Sequence, residues 1–383
     1  MNYRKLGKTG LMVSEIGLGG EWLERHSTEE VQAVIDECEK YGINVLDCWM
    51  CNPKVRSDIG DAMRNNNSRE KWYIQGQFGS VWENGQYVRT RDINKVRIAF
   101  EDMLTRFHTD YIDLGLIHFV DSMQEWNDLQ DSDFMRYVFE MKEKGVVKHL
   151  GLSTHNPLVA LAAAKTGWIE MMLFSINPAF DMMAPSEDLD LIFGENAFVT
   201  AQDRIAPERA KLYQYCEEHD VGLTVMKGLF GGRLLDAKAS PFGVALTPVQ
   251  CIHYALTRPA VASVLVGYDT PEHVRAAMHY EEATAEEKDY ASVLAKAPSH
   301  AFSGQCTYCG HCQPCPKGID IALTSKYYDL ATQQPTVPAT VRAHYLAMPA
   351  NASDCISCRA CEKRCPFNVK IAERMKKAAE LFR

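Results

Sequence analysis

The run YIDLGLIHF at residues 111–119 is followed by the helical pattern DFMRYVFEMKEKG at 133–145 and then by VKHLGLST at 147–154. The first and third runs are short, apolar and rich in β-branched residues, which is typical of buried strands. The middle run repeats apolar residues with the period of a helix. Strand, helix and strand in this order predict two parallel strands joined by a crossover helix.

The same alternation continues on both sides of this unit. The strand-like runs are VSEIGLG (13–19), NVLDCW (44–49), WYIQGQF (72–78), YIDLGLIHF (111–119), VKHLGLST (147–154), MMLFSIN (171–177), GLTVMK (222–227) and VASVLVG (261–267). Further helical patterns lie at 27–42, 92–107, 206–219 and after Pro271. Ser27 followed by Glu30 has the spacing of a capping box. Eight repeats of strand and helix predict a (β/α)8 barrel of the TIM type, and the opening YRKLGKTGLMV predicts a hairpin that closes its bottom.

Composition narrows the class of protein. The net charge of −9 argues against a nucleic acid or an anionic membrane as partner, because both need a concentrated basic face. No apolar run reaches the ~18 residues of a spanning helix, and the N-terminus lacks a signal-peptide pattern, so a cytoplasmic protein is expected. Thirteen cysteines in the reducing cytosol should be ligands, reactive thiols or small core residues rather than disulfides.

After about residue 284 the strands stop, and cysteines, prolines and short helices take over. The sequence therefore predicts a barrel domain at 1–284 and a small ferredoxin-like domain at 285–383. Two cysteine runs mark this second domain, CTYCGHCQPCP at 306–316 and CISCRACEKRCP at 355–366. Three cysteines at intervals of three, with a fourth before a proline, are the signature of bacterial ferredoxins that hold two [4Fe–4S] clusters.

In that pattern the fourth cysteine of each run ligates the other cluster. The predicted ligands of one centre are Cys306, Cys309, Cys312 and Cys365, and those of the other are Cys355, Cys358, Cys361 and Cys315. Zinc is the alternative, but structural zinc usually takes two separated C-x2-C pairs rather than three consecutive ligands. Because such clusters are sensitive to oxygen, an anaerobic or low-oxygen host is expected.

Residues at the ends of the predicted strands resemble those of the aldo-keto reductase superfamily, and the whole chain resembles its iron–sulfur-containing branch. The resemblance implies reduction of a carbonyl by hydride from NAD(P)H, with a tyrosine acid flanked by lysine, histidine and aspartate. Asp47 and Gly60 match the family motif and place its tyrosine at residue 52, which is Asn52 here. Gln77 stands where the lysine belongs, whereas DLGLIH retains the histidine as His118. The tetrad is thus degenerate.

The remaining polar residues at these strand ends are the candidate catalytic groups. His118 is the predicted general acid or base, and Asp47 orients or ionises a partner. Asn52 and Gln77 are predicted to hydrogen-bond a substrate oxygen. Merely structural hydrogen bonds in the barrel mouth remain the alternative for these residues.

Two glycine-containing loops predict a phosphate-bearing cofactor. They follow the seventh and eighth strands, where barrel enzymes often bind phosphate. The predicted binding residues are Lys227, Gly231, Gly232 and Arg233 in KGLFGGRLL and Gly267, Thr270 and Arg275 in VLVGYDTPEHVR. The family resemblance adds Ser153 and Asn177, as residues that hold the nicotinamide carboxamide. NAD(P) and FMN both suit these loops, and ordinary loop glycines with a helix cap remain the alternative.

The leading hypothesis is an iron–sulfur oxidoreductase that converts a small organic molecule in the barrel mouth, with electrons relayed by the two clusters. A conventional NAD(P)H-dependent carbonyl reductase is one alternative. The other is a catalytically weakened barrel that serves as an electron-transfer or docking module. A redox partner of the ferredoxin or flavodoxin type fits the cluster domain.

Overall fold

The computed structural model describes residues 1–188, 191–192, 198, 201–202, 204–298, 302–333 and 335–383. The strands are β1 (Tyr3–Lys5), β2 (Met12–Ser14), β3 (Ile16–Gly19), β4 (Val45–Cys48), β5 (Tyr73–Phe78), β6 (Ser80–Glu83), β7 (Gln86–Arg89), β8 (Ile112–Ile117), β9 (Val147–Thr154), β10 (Met171–Ser175), β11 (Gly222–Met226) and β12 (Val261–Gly267).

The helices flank and follow these strands. They are α1 (Thr28–Tyr41), α2 (Pro53–Asn65), α3 (Ile93–Arg106), α4 (Met123–Leu129), α5 (Asp133–Glu143), α6 (Pro157–Lys165), α7 (Pro178–Met182), α8 (Pro207–Glu218), α9 (Pro248–Leu256), α10 (Pro271–Glu282), α11 (Ala291–Leu294), α12 (Ile321–Ala331), α13 (Ala339–Leu346) and α14 (Ile371–Leu381). Short 3-10 helices lie at Gly7–Thr9, Gly20–Arg25, Arg69–Lys71, Phe230–Leu235, Ala352–Asp354 and Glu362–Arg364. No described helix is both long and apolar enough to span a membrane.

Eight parallel strands close into a barrel in the order β3-β4-β5-β8-β9-β10-β11-β12. Every strand-like run that the sequence predicted contributes one barrel strand, so the prediction of a TIM-type barrel is confirmed. The capping box at the start of α1 is also present. Ser27 Oγ accepts from the backbone N–H of Glu30 at 3.3 Å, and Glu30 Oε2 accepts from the N–H of Ser27 at 2.8 Å.

The predicted N-terminal hairpin is formed by the antiparallel strands β1 and β2. Leu6 in its turn and Val13 on its second strand are fully buried in one core cluster with Val45, Leu114 and Leu173 of the barrel strands. An apolar plug of this kind fills the interior of the barrel with side chains, as expected for eight strands.

A second hairpin, formed by β6 and β7, was not predicted. Its strands pair antiparallel, with Ser80 opposite Arg89 and Trp82 opposite Tyr87. Asn84 and Gly85 form the turn with φ values of 51° and 78°. Two successive left-handed residues of the type Asn-Gly are the usual turn of a two-residue hairpin. The Asn-Gly pair between two strand-like runs was therefore the signal that could have identified it.

The chain groups into two compact units. The first unit comprises 1–176, 221–228 and 261–283 and contains all the barrel strands. The second comprises 177–220, 229–260 and 284–383. The sequence placed one domain boundary at residue 284. The predicted domains 1–284 and 285–383 stay a prediction, since the second compact unit also contains 177–220 and 229–260.

A buried carboxylate organises part of the second unit. Asp181 is fully buried, and its two oxygens accept hydrogen bonds from the hydroxyls of Tyr213 at 2.5 Å and Tyr254 at 2.7 Å. The guanidinium of Arg209 lies 3.5 Å from the same carboxylate. A buried charge with these partners ties α7, α8 and α9 together, because removing any one of them would leave a costly unpaired group.

Helix α2 packs closely against the backbone at Arg106 through Gly60. A Cβ added there would lie 1.9 Å from the carbonyl oxygen of Arg106. Replacing glycine by alanine in a helix interior normally stabilises by about 1 kcal/mol, but a clash with rigid backbone typically costs about 1–3 kcal/mol. We therefore expect Gly60→Ala to lower the free energy of unfolding in anaerobic denaturant titrations. Gly19→Ala, whose new Cβ has its nearest neighbour at 3.4 Å, is the control. Equal stability of both variants would contradict the packing.

Candidate functional site

Three predicted residues form a chain of hydrogen bonds at the carboxyl ends of neighbouring strands. Asp47 lies near the end of β4, Gln77 near the end of β5, and His118 directly after β8. Gln77 Nε2 donates to Asp47 Oδ1 at 2.7 Å, and His118 Nδ1 lies 3.1 Å from Gln77 Oε1. All three side chains are buried. The structure thus brings three of the four predicted catalytic residues together where barrel enzymes carry out their chemistry.

A tyrosine that the sequence did not predict extends this chain. The hydroxyl of Tyr87 lies 2.7 Å from His118 Nε2, and the two rings meet edge to face with centroids 5.6 Å apart. Trp49 stacks on the imidazole, with centroids 5.9 Å apart and an interplanar angle of 10°, and it also meets the ring of Tyr87 edge to face with centroids 5.2 Å apart. Ser80 Oγ donates to the carbonyl of Trp49 at 2.6 Å, which fastens the second hairpin to the loop after β4.

Burial sets the protonation states of this chain. It raises the pKa of Asp47 to about 7, against the hydrogen bond from Gln77, which favours the carboxylate. Burial and the cations Arg91 and Arg89 hold the pKa of His118 well below its usual value, so the imidazole is neutral at physiological pH. Burial raises the pKa of Tyr87 to about 12, so it is a phenol.

The two arginines come from the second hairpin and the segment after it. Arg91 Nη2 donates to the carbonyl of His118 at 2.7 Å, and Arg89 Nη1 donates to that of Phe119 at 2.7 Å. Both also pair with the carboxylate of Glu125. The guanidinium groups of Arg89 and Arg91 therefore place positive charge at the backbone of His118 and Phe119, although Gln77 itself is uncharged.

Asn52, the fourth predicted catalytic residue, begins a helix. Its Oδ1 accepts from the backbone N–H of Lys54 at 3.0 Å, which makes it the N-cap of α2 ahead of Pro53. Among the described contacts, none links Asn52 to Asp47, Gln77 or His118. Its predicted role at a substrate oxygen remains a prediction, and only the amide nitrogen is left for it.

In the loop after β11 the predicted phosphate-binding residues differ in their surroundings. Gly231 and Gly232 have φ values of 62° and 86°, and the space where each Cβ would stand is open. The guanidinium of Arg233 lies over the ring of Phe230, 4.6 Å from its centroid. Lys227 Nζ is 3.9 Å from the carboxylate of Glu21. Space is thus open beside both glycines, although the N–H of Gly232 already donates to the carbonyl of Leu229 at 3.0 Å.

The loop after β12 is already occupied by protein contacts. A Cβ on Gly267 would lie 2.3 Å from the indole of Trp22, so packing of Trp22 alone requires the glycine. Thr270 Oγ1 caps α10 by accepting from the N–H of His273 at 3.3 Å. Arg275 pairs with the carboxylates of Glu37, at 3.1 Å, and Glu272. Phosphate binding is not needed to explain any of these three residues.

The two residues that the family resemblance assigned to the nicotinamide lie in different units. Ser153 is buried near the end of β9 in the first unit. Asn177 opens the second unit and caps α7, where its Oδ1 accepts from the N–H of Phe180 at 2.8 Å. Their proposed joint role in cofactor binding stays a prediction.

Four of the predicted metal ligands surround one cavity. The thiols of Cys315, Cys355, Cys358 and Cys361 line it together with the apolar side chains of Ile319, Ile321, Ile356, Ala372 and Met375. These four cysteines are the set that the crossed-ligand pattern assigns to one centre. Among the described residues, no three His, Cys, Asp or Glu side chains converge on the position of a single metal ion.

Three ligands of the other predicted set, Cys306, Cys309 and Cys312, belong to the first cysteine run, and the fourth, Cys365, belongs to the second. Cys306 and Cys309 lie close enough to Cys312 to act electrostatically on its thiol. Arg364 Nη2 donates to the carbonyls of Cys312 at 2.6 Å and Pro314 at 2.8 Å, and it directly precedes Cys365 in the chain. Burial raises the pKa of Cys306 to about 12. Because thiolates are the ligands, metal binding there must displace protons.

The backbone conformation repeats between the two cysteine runs. Two residues after the first cysteine, Tyr308 and Ser357 have φ values of 58° and 54°. The residue after the second cysteine is again left-handed, Gly310 at 82° and Arg359 at 58°. Three residues after the fourth, Gly318 and Asn368 have 68° and 56°. Both runs therefore share left-handed positions at these three places, although the third and fourth cysteines are three residues apart in the first run and four in the second.

The five other cysteines are buried core residues: Cys38, Cys48, Cys51, Cys216 and Cys251. Burial raises the pKa of Cys48 and of Cys251 to about 12. A thiol so far from ionisation is a poor nucleophile, and these two cysteines behave as small apolar residues.

Comparison with known proteins identifies relatives of the barrel. The profile of the Aldo/keto reductase family matches residues 15–247. The uncharacterized oxidoreductase YqkF of Bacillus subtilis is 29% identical over 289 residues, which cover 72% of this chain and 89% of YqkF. The holo form of aldo-keto reductase AKR11C1 from Bacillus halodurans has a TM-score of 0.59 at 22% identity and covers 79% of this chain and 99% of that one.

A second solved structure, PA4992 of Pseudomonas aeruginosa, has a TM-score of 0.54 at 24% identity and covers 73% of this chain and 95% of its own. At these identities the two structures show a shared fold. The profile match covers more than half of the chain and includes Asp47, Asn52, Gln77 and His118.

The raised pKa of Asp47 predicts a pH-dependent stability. The carboxyl titrates near 3.8 when unfolded and about 7 when folded. The contribution of Asp47 to the free energy of unfolding is full when the pH is below the pKa of the unfolded state. It falls by about 1.4 kcal/mol per pH unit as the pH rises to the pKa of the folded state. Between about pH 5.5 and 8.5 we expect the wild type to lose about 2 kcal/mol relative to Asp47→Asn, which cannot titrate. Parallel unfolding titrations under argon measure the difference, and a constant gap would contradict it.

Proposed function

Because this chain belongs to the aldo/keto reductase family and is an oxidoreductase, we propose that it converts a small organic molecule in the barrel mouth with electrons relayed by two [4Fe–4S] clusters. The main support for this proposal is the position of four cysteines. Four thiols from two separate sequence runs, Cys315, Cys355, Cys358 and Cys361, line a single cavity. The sequence signature of a two-cluster ferredoxin requires that grouping.

Three features support a cluster in this cavity. Its lining apart from the thiols combines apolar side chains such as Ile319, Ile321 and Met375 with the cations Lys317, Arg359 and Arg364, and nearby charge is one way in which proteins set cluster potentials. The N–H of Ser357 donates to Cys355 Sγ at 3.4 Å, and in the other predicted centre the N–H of Val369 donates to Cys365 Sγ at the same distance. Backbone N–H groups directed at ligand sulfurs are a second way. The third feature is that left-handed residues recur at matched positions in both runs.

The first centre would be held by Cys306, Cys309, Cys312 and Cys365. A [4Fe–4S] cluster bound by either set of four cysteines would accept and release single electrons. In the cavity lined by Cys315, Cys355, Cys358 and Cys361, Cys358 is exposed and Ile356 is 58% exposed, so solvent reaches this side of the cavity. A redox partner protein of the ferredoxin or flavodoxin type would exchange electrons there.

In the barrel mouth, the side chains of this protein handle the proton and the orientation of the substrate. His118 is the proton-transfer group, and Gln77 and Asp47 fix its ring through the chain of hydrogen bonds. Trp49 and Phe119 flank the imidazole and favour a substrate with an apolar or aromatic part. The family's tyrosine and lysine are absent at Asn52 and Gln77, so this arrangement differs from the ordinary reductase site.

A nicotinamide dinucleotide would supply or accept hydride in this family, and FMN is the alternative carrier. The residues proposed to hold it are Ser153, Asn177, Lys227, Gly231, Gly232, Arg233, Gly267, Thr270 and Arg275. The open backbone at Gly231 and Gly232 fits close approach by a phosphate. Gly267 under Trp22 and Arg275 between two carboxylates do not fit it as they stand.

Family membership favours one rival, a conventional NAD(P)H-dependent carbonyl reductase. The neutral Gln77 counts against it, because no lysine is present there to promote loss of a proton from an acid. A barrel that only docks another redox protein is the other rival. The buried hydrogen-bond chain through Gln77, whose polar groups are paired, counts against a barrel without catalytic activity, because such a barrel would not need this chain.

Cysteine substitution tests the clusters and their crossed ligation together. We expect about eight irons per chain in anaerobically purified protein and about four in Cys361→Ser, because one centre loses a ligand. Cys315→Ser should lose the same electron paramagnetic resonance signal as Cys361→Ser, whereas Cys365→Ser should lose the other. Cys251→Ser, a buried thiol outside both sets, is the control. Loss of one common signal in Cys315→Ser and Cys306→Ser would contradict crossing, and iron-free wild type would contradict the clusters.

The barrel cofactor requires a separate test. We expect NAD(P) or FMN among the small molecules that mass spectrometry detects after anaerobic denaturation, because the loop at Gly231 and Gly232 leaves backbone open to a phosphate. NADPH should also bleach the visible absorbance of the clusters when the carrier is a nicotinamide. Release of neither molecule, together with no bleaching by NADPH, would contradict a nucleotide in the barrel.

A further inference from the structure

We propose that the buried guanidinium of Arg258 raises the reduction potential of the first centre above that of the second, so that a single electron in the protein is held mainly by the first centre. The inference rests on the proposed function, because both centres have to bind clusters. It names the centre that keeps the electron and the side chain responsible. The first centre is the set Cys306, Cys309, Cys312 and Cys365, and the second is the set Cys315, Cys355, Cys358 and Cys361.

Arg258 is a buried cation that contacts the first cysteine run. It is 1% exposed, and its Nη2 donates to the carbonyl oxygen of Thr307 at 2.5 Å. Thr307 directly follows Cys306 in the chain and is itself fully buried. The hydroxyl of Tyr290 donates to the same carbonyl at 2.5 Å. Two donors therefore hold the backbone of this run, and one of them brings a positive charge.

The charge of Arg258 is not balanced by a carboxylate. In the part of the chain that the structure describes, no Asp or Glu forms an ion pair with it, and its Nε and Nη1 have no hydrogen-bond acceptor. Its guanidinium lies over the rings of Tyr254 and Tyr308, 4.4 Å and 5.0 Å from their centroids. Aromatic faces stabilise a cation only in part, and an isolated buried charge is costly. Thiolates and a cluster at the first run would supply the missing negative charge.

The other charged side chains near this run occur in pairs. Arg374 and Asp329 act with opposite signs on the thiol of Cys306, and they form an ion pair with each other. His311 in the same run lies 2.7 Å from the carboxylate of Asp289. Opposite charges so close together nearly cancel at the sulfurs, so the unpaired guanidinium contributes more to the electrostatic potential there.

Arg364 is another cation without a carboxylate partner among the described residues, but it acts on both centres. It donates to the carbonyls of Cys312 and Pro314, and it also lines the cavity of the second centre. Its charge therefore shifts both reduction potentials in the same direction. The difference between the two potentials has to come from elsewhere.

The remaining cations of the second centre lie in solvent. Lys317 and Arg359 line its cavity, but both are exposed, and the side chain of Arg359 is 73% exposed. Two charges interact about four times more strongly at an effective dielectric constant of ~20 than at the ~80 of water. A buried cation beside the first centre therefore acts more strongly than an exposed cation beside the second.

The direction of the effect follows from the charge of the electron. Reduction adds one negative charge to a cluster, so a fixed cation nearby favours the reduced form and raises the potential. An electron that reaches the exposed second centre from a redox partner protein would then pass to the first, which oxidises the second centre and reduces the first. No proton is needed, because the guanidinium of Arg258 stays charged throughout.

Redox titration followed by electron paramagnetic resonance under argon tests the proposal without turnover. In wild type we expect the signal that Cys365→Ser removes to appear at a higher potential than the signal that Cys361→Ser removes. Equal potentials, or the opposite order, would overturn the proposal. Iron is measured on each sample first. Iron-free wild type would refute the proposed function and this inference with it, whereas two clusters in the wrong order would refute the inference alone.

Two substitutions separate the charge of Arg258 from its packing. Arg258→Gln should lower the potential of the first centre by about 59 mV, roughly tenfold in the equilibrium constant for one electron, and change the second centre little. Arg258→Lys keeps the charge and should retain most of the wild-type potential. Equal shifts in the two variants, or equal shifts of both centres, would overturn the proposal. Should Arg258→Gln lose iron, the order of the potentials in wild type and the potential in Arg258→Lys decide.

Arg342→Gln is the matched control. It also removes a guanidinium of the second unit that donates to backbone carbonyls, but those carbonyls belong to the end of α14 and the residues after it, Leu381, Phe382 and Arg383. Both potentials should equal those of wild type in this variant. A shift of the first centre as large as that in Arg258→Gln would contradict a specific effect of Arg258.

Discussion

Parallel pairing of β4, β5 and β8 brings the groups of the candidate site together at the carboxyl ends of these strands. Asp47 pairs with Gln75 across the first interface, and Gln77 pairs with Leu116 across the second. The ladder continues one step further, where the N–H of His118 donates to the carbonyl of Phe78 at 2.9 Å. Because side chains alternate along a strand, a slip of one residue in β5 would turn Gln77 away from both partners. Backbone register thus determines whether the hydrogen-bond chain exists.

The close pairing of these strands also depends on glycines. A Cβ on Gly76 would lie 2.9 Å from the end of Met103, and one on Gly115 would lie 2.6 Å from Val147. Both glycines pack against neighbouring side chains. A larger residue at either position would require several of these side chains to move. Glycine at these two positions therefore leaves room for the side chains of Met103 and Val147 against the site strands.

The charges around His118 come from an unexpected element. Where the family resemblance led us to expect a lysine, Gln77 is neutral. Arg89 and Arg91 belong to the second hairpin and the residues after it, and they reach the backbone carbonyls at Phe119 and His118. A neutral amide at residue 77 can do what a lysine cannot, since it accepts from His118 and donates to Asp47 at once.

The sequence was sufficient for the barrel because each strand is a short β-branched run between helices with clear starts, such as the capped α1. It also selected Asp47, Gln77 and His118, since strand ends in a parallel barrel meet at one edge. The sequence did not indicate Tyr87 because the family motif points to residue 52, although Asn84 and Gly85 already indicated a hairpin. The contact of Trp22 with Gly267 could not be anticipated, because it joins loops far apart in sequence. For the cysteines, spacing predicted the four that line one cavity, and iron binding stays a prediction.

The backbone of the cysteine runs gives a physical reason to expect that something holds them. Tyr308, Ser357, Arg359 and Asn368 are left-handed without being glycine, and such a conformation costs about 1 kcal/mol or more for each residue. The cysteines themselves lie outside the α-helices, so regular hydrogen bonding does not offset this cost. Thiolate bonds to a cluster would offset it, because ligation fixes the path of the chain at each cysteine and is coupled to folding. The left-handed residues recur at matched positions in both runs, which is what two equivalent clusters would require of two different sequences.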